Sequence, residues 1–240
     1  SDDDFSRIFV LNGFAGTGKT TLIAAVVAAL KELRIKPVLL APTGRAAKVL
    51  ARYCGEQALT IHKRIYRQRT NADYESKFSL DFNREQGAVF IVDEASMLSD
   101  STGDGALFGS GSLLEDLVSY VRSGRGCRLI LVGDSAQLPP VGCDFSPALD
   151  PATVSRYGEV VYGLMDEVVR QQMQSGILFN ATLVRCMLEN RIYEIPKFEM
   201  DYPDFESVEG GDFMEKLQDA FDRYGRDEVI VITRSNKRAN

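Results

Sequence analysis

Residues 8–22 read Ile-Phe-Val-Leu-Asn-Gly-Phe-Ala-Gly-Thr-Gly-Lys-Thr-Thr-Leu, and the fold turns on how this stretch is interpreted. Ile8 to Leu11 is an apolar run suited to a buried parallel strand, and Lys19 to Leu33 carries good helix formers. Between them lies Gly13-x-x-x-x-Gly18-Lys19-Thr20, the spacing of a phosphate-cradling loop. The glycines let the backbone turn its N–H groups inward with no Cβ in the way. A helix starting near Gly18 adds its positive end to the same anion site. Gly13, Phe14, Ala15, Gly16, Thr17, Gly18, Lys19, Thr20 and Thr21 therefore read as a nucleoside triphosphate site. Lys19 supplies a cation to the β- and γ-phosphates, and Thr20 offers a hydroxyl to Mg²⁺.

Outward from this loop, the chain repeats the pattern of an apolar strand followed by a polar exit. Pro37 to Ala41 reads as a second strand, and Pro42-Thr43-Gly44-Arg45 turns into a helix that Thr43 can cap. Ala58 to Ile65 reads as a short helix with a polar start. Ala88-Val-Phe-Ile-Val-Asp-Glu-Ala-Ser-Met97 is a strand ended by two acids. Asp93 can hold Mg²⁺, and Glu94 can orient or deprotonate a water. Leu129 to Val132 is a further strand, followed by Gly133, Asp134 and Gln137, whose amide can bond both a γ-phosphate oxygen and a water. Glu159 to Tyr162 reads as a fifth strand, and Leu113–Val121, Gly176–Leu188 and Phe213–Tyr224 as helices. Arg170, in Val-Val-Arg-Gln, is a phosphate contact or an ordinary salt-bridge partner. Strands alternating with helices predict an α/β fold with a mostly parallel sheet flanked by helices.

Residues 66–87 break the alternation. They are polar and aromatic (Tyr66, Tyr74, Phe78, Phe82) and read as an inserted excursion, either a small hairpin or a mobile surface loop. Residues 99–112 are rich in Gly and Ser and read as a flexible loop. Residues 195–212 are acidic, hold Pro196, Pro203 and Gly210-Gly211, and read as a linker. Glu228 to Thr233 reads as one more apolar strand.

Bulk properties narrow the class. The chain has 240 residues, 45% of them hydrophobic, enough for a full core and one large domain or one and part of another. No apolar run approaches the length of a membrane helix, and Ser1-Asp2-Asp3-Asp4 carries no signal pattern. Cys54, Cys127, Cys143 and Cys186 are scattered without a C-x-x-C pair, so reduced thiols and a cytoplasmic location are expected. The net charge of −6 conceals segregation. Lys31 to Arg69 holds ten basic residues against two acids, a local +8 that leaves −14 for the remainder. Such sign segregation favours a polyanion-binding face over a merely solvated one.

Five ordered motifs together resemble the superfamily 1 DNA helicases, and more closely their RecD-like, 5′-to-3′ branch: 13–20, Ala-Pro-Thr-Gly-Arg-Ala-Ala (41–47), Thr-Ile-His-Lys (60–63), Val-Asp-Glu-Ala-Ser-Met (92–97) and Val-Gly-Asp-Ser-Ala-Gln-Leu-Pro-Pro-Val (132–141). The resemblance implies a RecA-like P-loop NTPase that uses ATP and Mg²⁺ to move along single-stranded DNA and open duplex junctions. It implies phosphate and metal roles for Lys19, Thr20 and Asp93, water activation by Glu94, γ-phosphate coupling by Gln137, and a γ-phosphate contact for Arg170. It places Pro42, Thr43, Arg45, Thr60 and His62 on the single-strand path. His62, the sole histidine, is a strand contact or a buried or capping imidazole. Residues 66–87 fall where that branch carries a small strand-separating subdomain, whose aromatic residues can stack on bases.

The resemblance further implies residues 1–195 as a first motor domain, with 196–240 as linker and the opening of a second, truncated one that includes Arg234 to Asn240. It implies a monomer with DNA-processing partner proteins and no membrane. The upstream adenine-reading segment and most of the second motor domain of such helicases are not matched, so slow hydrolysis by this chain alone is expected. Two other classes remain open here. One is a P-loop phosphotransferase or signalling NTPase indifferent to DNA. The other is a non-catalytic nucleic-acid-binding module, which the Asp93-Glu94 pair disfavours.

Overall fold

Six short strands rich in aliphatic residues pair side by side: β1 (Ile8–Gly13), β2 (Pro37–Ala41), β3 (Ala58–Thr60), β6 (Val89–Val92), β7 (Arg128–Gly133) and β8 (Val160–Met165). Their order across the sheet is β3-β2-β6-β7-β1-β8, and every pairing is parallel. The computed structural model describes residues 7–70, 76–101, 108–167 and 175–233. These form two compact units, one ending at residue 167 and the other beginning at 175.

Parallel sheets are covered on both faces, and the side-chain alternation shows how. Val38, Leu40, Phe90, Val92, Leu129 and Leu131 face one core with α3 (Ile61–Ile65) and α4 (Leu113–Ser123). Leu39, Val89, Ile91 and Val132 face the other, with Ile23 and Val27 of α1 (Lys19–Glu32) and Leu50 of α2 (Gly44–Cys54). Phe90 and Leu40 are fully buried, each such side chain contributing about 1.5–3 kcal/mol. A 3-10 turn (Ala95–Met97) follows β6, and another (Pro147–Leu149) with α5 (Pro151–Val154) bridges β7 to β8.

The excursion at 66–87 is a hairpin, not a loop. β4 (Tyr66–Thr70) and β5 (Ser76–Leu80) pair antiparallel, apart from the main sheet. Its base is fastened to the body. Tyr66 donates its hydroxyl to Asp116 Oδ2 of α4 at 2.6 Å, and Ser110 N donates to the same oxygen at 3.0 Å. Phe78 stacks on Phe108 at 4.5 Å, and Gly109 N donates to Phe78 O. Gly109 has φ +45°, and a Cβ there would lie 1.9 Å from Asp116 Oδ2, so only glycine fits. The end of the Gly/Ser loop is thus packed against the hairpin, while residues 102–107 and Tyr74 lie outside the described residues.

Three expectations are corrected. Ala58–Ile65 is only half helix: Ala58–Thr60 pairs with Leu39–Ala41 as an edge strand, because β2 has a free ladder there. Thr60 then caps α3, accepting from Lys63 N at 3.3 Å. Glu228–Thr233 forms no strand, since no described strand lies alongside to complete a ladder, and Ile230, Val231 and Ile232 are exposed. Residues 195–212 are irregular but are not a free tether between bodies. Asn180 of α6 (Gly176–Glu189) bonds both backbone groups of Glu199, and Asp204 accepts from Ser175 Oγ and Gly176 N. α7 (Phe213–Tyr224) completes this second unit. No helix among the described residues is long and apolar enough to cross a membrane.

Asp116 is 5% exposed and accepts from groups on β4 and on the 108–112 segment. Asp116→Ala strands both donors and should cost about 2–3 kcal/mol in urea unfolding. Tyr66→Phe, which removes one donor only, should cost less; equal costs would contradict the shared-acceptor arrangement.

Candidate functional site

Because all six strands run the same way, their C-terminal ends open on one edge of the sheet, where open α/β folds bind ligands. The loop after β1 lies at that edge. Gly18 caps α1 in the left-handed region at φ +88° with no side-chain cap, so the first N–H groups of α1 are left for an anion. Lys19 lies folded along its own loop, its Nζ donating to Gly13 O at 2.6 Å and Phe14 O at 3.0 Å. Thr17 is buried and donates Oγ1 to Phe14 O at 2.8 Å, closing the turn.

The acids stand two strands away, at the end of β6. Asp93 N donates to Leu40 O, tying the β6 exit to β2, and Asp93 Oδ1 accepts from Glu94 N at 3.0 Å. Glu94 sits at φ +55°, a left-handed conformation rare for glutamate and a mark of a functional position. Burial raises the Asp93 carboxyl above its ordinary range, partly offset by its bond from Glu94 N and by Lys19. Burial, then the neighbouring Asp93, raises Glu94 too. Between the acids and the loop, just past the end of β7, Gln137 accepts from Ser96 Oγ at 3.4 Å.

The residues expected on a strand path gather at the same edge. Ala41 of β2 pairs with Thr60 of β3, so Pro42 and Thr43 lie beside Thr60 and His62. Thr43 caps α2, accepting from Ala46 N at 3.2 Å, and Arg45 is exposed in its first turn. His62 is half-buried, with its ring 5.1 Å from Phe108 and 5.6 Å from Tyr66. Burial lowers its pKa, which keeps the imidazole neutral near pH 7. Arg170 and the 234–240 segment lie outside the described residues.

The basic stretch is less open than its charge implies. Lys31 pairs with Glu56, Lys36 and Arg64 both with Glu85, and Arg67 lies 3.9 Å from Asp81. Arg45, Lys48, Arg52, Arg34 and Lys63 have no ion-pair partner among the described residues.

Two residues of the cleft were given no role by the motif reading. Asp134, 3% exposed, stands 4.0 Å from Lys19 Nζ and accepts from Ala136 N. Asn12, 5% exposed, donates to Ser135 Oγ at 2.8 Å and Tyr162 OH at 3.1 Å, and accepts from Ser135 N at 2.9 Å. It thereby clamps the β1, β7 and β8 exits together. The signal was present: an amide closing an otherwise apolar buried strand needs partners. An open groove of about 930 Å³ beside Gln137 is walled by Met97, Leu138 and Val141.

Residues 4–181 match the family model described as AAA domain. The chain is 33% identical over 135 residues to the ATP-dependent RecD2 DNA helicase of Deinococcus radiodurans, covering 56% of this chain and 16% of that protein. It is 32% identical over 201 residues to the RecBCD enzyme subunit RecD of Mycobacterium tuberculosis, covering 68% and 32%. It is 34% identical over 136 residues to the ATP-dependent DNA helicase dda of Enterobacteria phage T4, covering 55% and 28%. The chain thus spans a third or less of the length of these relatives. The likeness to superfamily 1 helicases carried by the motifs is borne out.

The raised Glu94 pKa has a measurable consequence. The fold binds that proton more tightly than the unfolded chain does, so ionising Glu94 costs stability. The cost is complete once pH exceeds the folded-state pKa and absent below the ordinary value near 4.5. Glu94→Gln should therefore raise the unfolding midpoint at about pH 8, by about 2–4 °C per kcal/mol recovered. The gain should vanish at about pH 4; a gain independent of pH would rule out this origin.

Proposed function

The chain belongs to the AAA domain family, and on that footing we propose that it is the ATP-driven motor portion of a DNA helicase that moves along single-stranded DNA and opens duplex junctions. One observation carries the reading. The nucleotide set (Lys19, Gln137, Asp93, Glu94) and the expected strand-path set (Pro42, Thr43, Arg45, Thr60, His62) occupy one continuous edge, in the strand order β1, β7, β6, β2, β3. At about 4.8 Å per strand, the phosphate loop after β1 lies about 14 Å from the β2 end of the strand path. Gln137 and Glu94 fill that interval, so a change at the γ-phosphate reaches the track through two side chains.

In this reading the loop N–H groups and Lys19 bind the phosphates, with Lys19 exchanging the carbonyls of Gly13 and Phe14 for phosphate oxygens. Thr20 and Asp93 would hold Mg²⁺. Their hard oxygen donors suit it, and Mg²⁺ takes its remaining ligands from phosphate and water. Among the described residues no cluster of three metal-binding side chains exists, as that mode of binding allows. When bound, Mg²⁺ supplies charge neutralisation at the phosphates. Glu94 orients a water and accepts its proton as the new O–P bond forms and the bridging O–P bond to the γ-phosphorus breaks. Gln137, at the β7 exit and held by Ser96, senses the γ-phosphate. Arg170 is proposed as a further γ-phosphate contact. We place the first motor domain within residues 1–195, its nucleotide and strand-path residues all lying in the compact unit that ends at residue 167 except for Arg170, and take 196–240 as leading into a second motor domain. The described thiols are free, in keeping with a reducing cytoplasm. We take the working form as a monomer that meets DNA-processing partner proteins.

Lys19→Ala should abolish binding of a fluorescent ATP analogue in a chain that still folds, as circular dichroism would check, although its contacts with Gly13 O, Phe14 O and Asp134 are lost. Glu94→Gln should keep binding and lose hydrolysis. Single-stranded DNA should increase hydrolysis by the wild type. Hydrolysis that is robust and indifferent to DNA would instead identify a P-loop phosphotransferase or signalling NTPase.

A further inference from the structure

The outer face of α2 is the feature the motifs leave unexplained. Ala47 and Leu50 are buried against the sheet. At 100° per residue, Arg45, Lys48 and Arg52 fall within an arc of about 60° on the opposite face. All three are exposed, as are Val49 and Tyr53 beside them. Arg45–Lys48 and Lys48–Arg52 are like-charge neighbours at i,i+3 and i,i+4, a spacing that destabilises a helix. Arg45 also stands in the first turn, where no acid is present and the helix dipole opposes a cation.

The surroundings sharpen the contrast. Within the basic stretch, Lys31, Lys36, Arg64 and Arg67 each have a carboxylate from this chain. The three on α2 have none among the described residues. A ladder of cations that repel one another, without internal counter-charge, calls for an external anion of repeating charge. The row begins at the sheet edge beside Thr43 and extends about 10 Å along the helix, close to the axial rise of three nucleotides. Tyr53 adds an exposed ring on which a base can stack.

We infer that Lys48 and Arg52 extend the DNA track outward from the sheet edge, along α2, as a second site for the phosphodiester backbone. The inference rests on the helicase reading for its ligand, but its residues lie outside the ATP site and the five motifs. Single strand and duplex share this chemistry, and the test separates them. Anisotropy titrations of the chain with oligothymidylates and with tailed duplexes across a salt series measure how many phosphates are neutralised. In Lys48→Gln/Arg52→Gln, both affinity and the salt slope should fall, the slope by about 1.4 on single strands or about 1.8 on duplex. A fall confined to tailed duplexes places duplex on this face; a fall on long single strands places single strand there.

Both positions are exposed in a helix and glutamine is a good helix former, so the fold should persist, as circular dichroism would verify. The charge-preserving Lys48→Arg/Arg52→Lys should keep the wild-type slope. An unchanged slope in the glutamine variant overturns the inference. So does an equal fall in Arg84→Gln/Arg125→Gln, which removes two exposed charges elsewhere. A wild type that binds ATP but no DNA removes the helicase reading itself.

Discussion

Everything in the cleft depends on β1 being paired in parallel on both sides, with β7 in register from Ile8–Leu129 to Asn12–Gly133 and with β8 from Ile8–Val160 to Gly13–Met165. A one-residue slip would reverse every inward side chain and move Gly13 away from the β7 exit. Asn12 holds the register at the point where it matters. Its amide joins the last residue before the loop to Ser135 after β7 and to Tyr162 on β8. The loop after β1, the exit of β7 and strand β8 are thereby set against one another by one buried side chain.

The electrostatics of this cleft are unbalanced in a useful way. Lys19 stands against three carboxyls, Asp93, Glu94 and Asp134, all of which act on it or on one another. Asp134 stands at 4.0 Å from Lys19 Nζ. Burial raises the pKa of both Asp93 and Glu94, and Lys19 offsets this only in part. An excess of buried acid with oxygen donors at the rim suits a divalent cation better than a monovalent one. The left-handed backbone at Glu94, a strain of about 1–3 kcal/mol, is held at this same acidic end of β6.

Much of this was legible in the chain, for identifiable reasons. Apolar runs such as Val89–Val92 and Leu129–Val132 announce buried strands, and the groups that follow each run must then emerge at one edge once the strands are parallel. The glycine spacing at 13–18 specifies a loop that few other geometries need. What was misread depended on partners far away in sequence. Ala58–Thr60 has no strand pattern of its own and becomes a strand only because β2 lies beside it. Glu228–Thr233 has the pattern and lacks the neighbour. The acidic 195–212 stretch has linker composition, yet Asn180 and Ser175 gather it onto α6. Charge counting likewise overstated the open basic surface, because Glu85 and Asp81, which follow the basic stretch in sequence, fold back onto it.

The hairpin shows how local and distant constraints join. Its polar, aromatic sequence offers little apolar surface beyond Tyr66 and Leu80 at its base, which pack on the core, and a two-stranded hairpin is marginal in water. Here its orientation comes from Asp116, a buried carboxylate whose acceptors are taken by Tyr66 and Ser110, and from the Phe78–Phe108 stack. His62, beside the expected strand path, packs on Tyr66 and Phe108 of that same joint. A displacement at His62 therefore meets the hairpin base through direct ring contacts, with no flexible segment between.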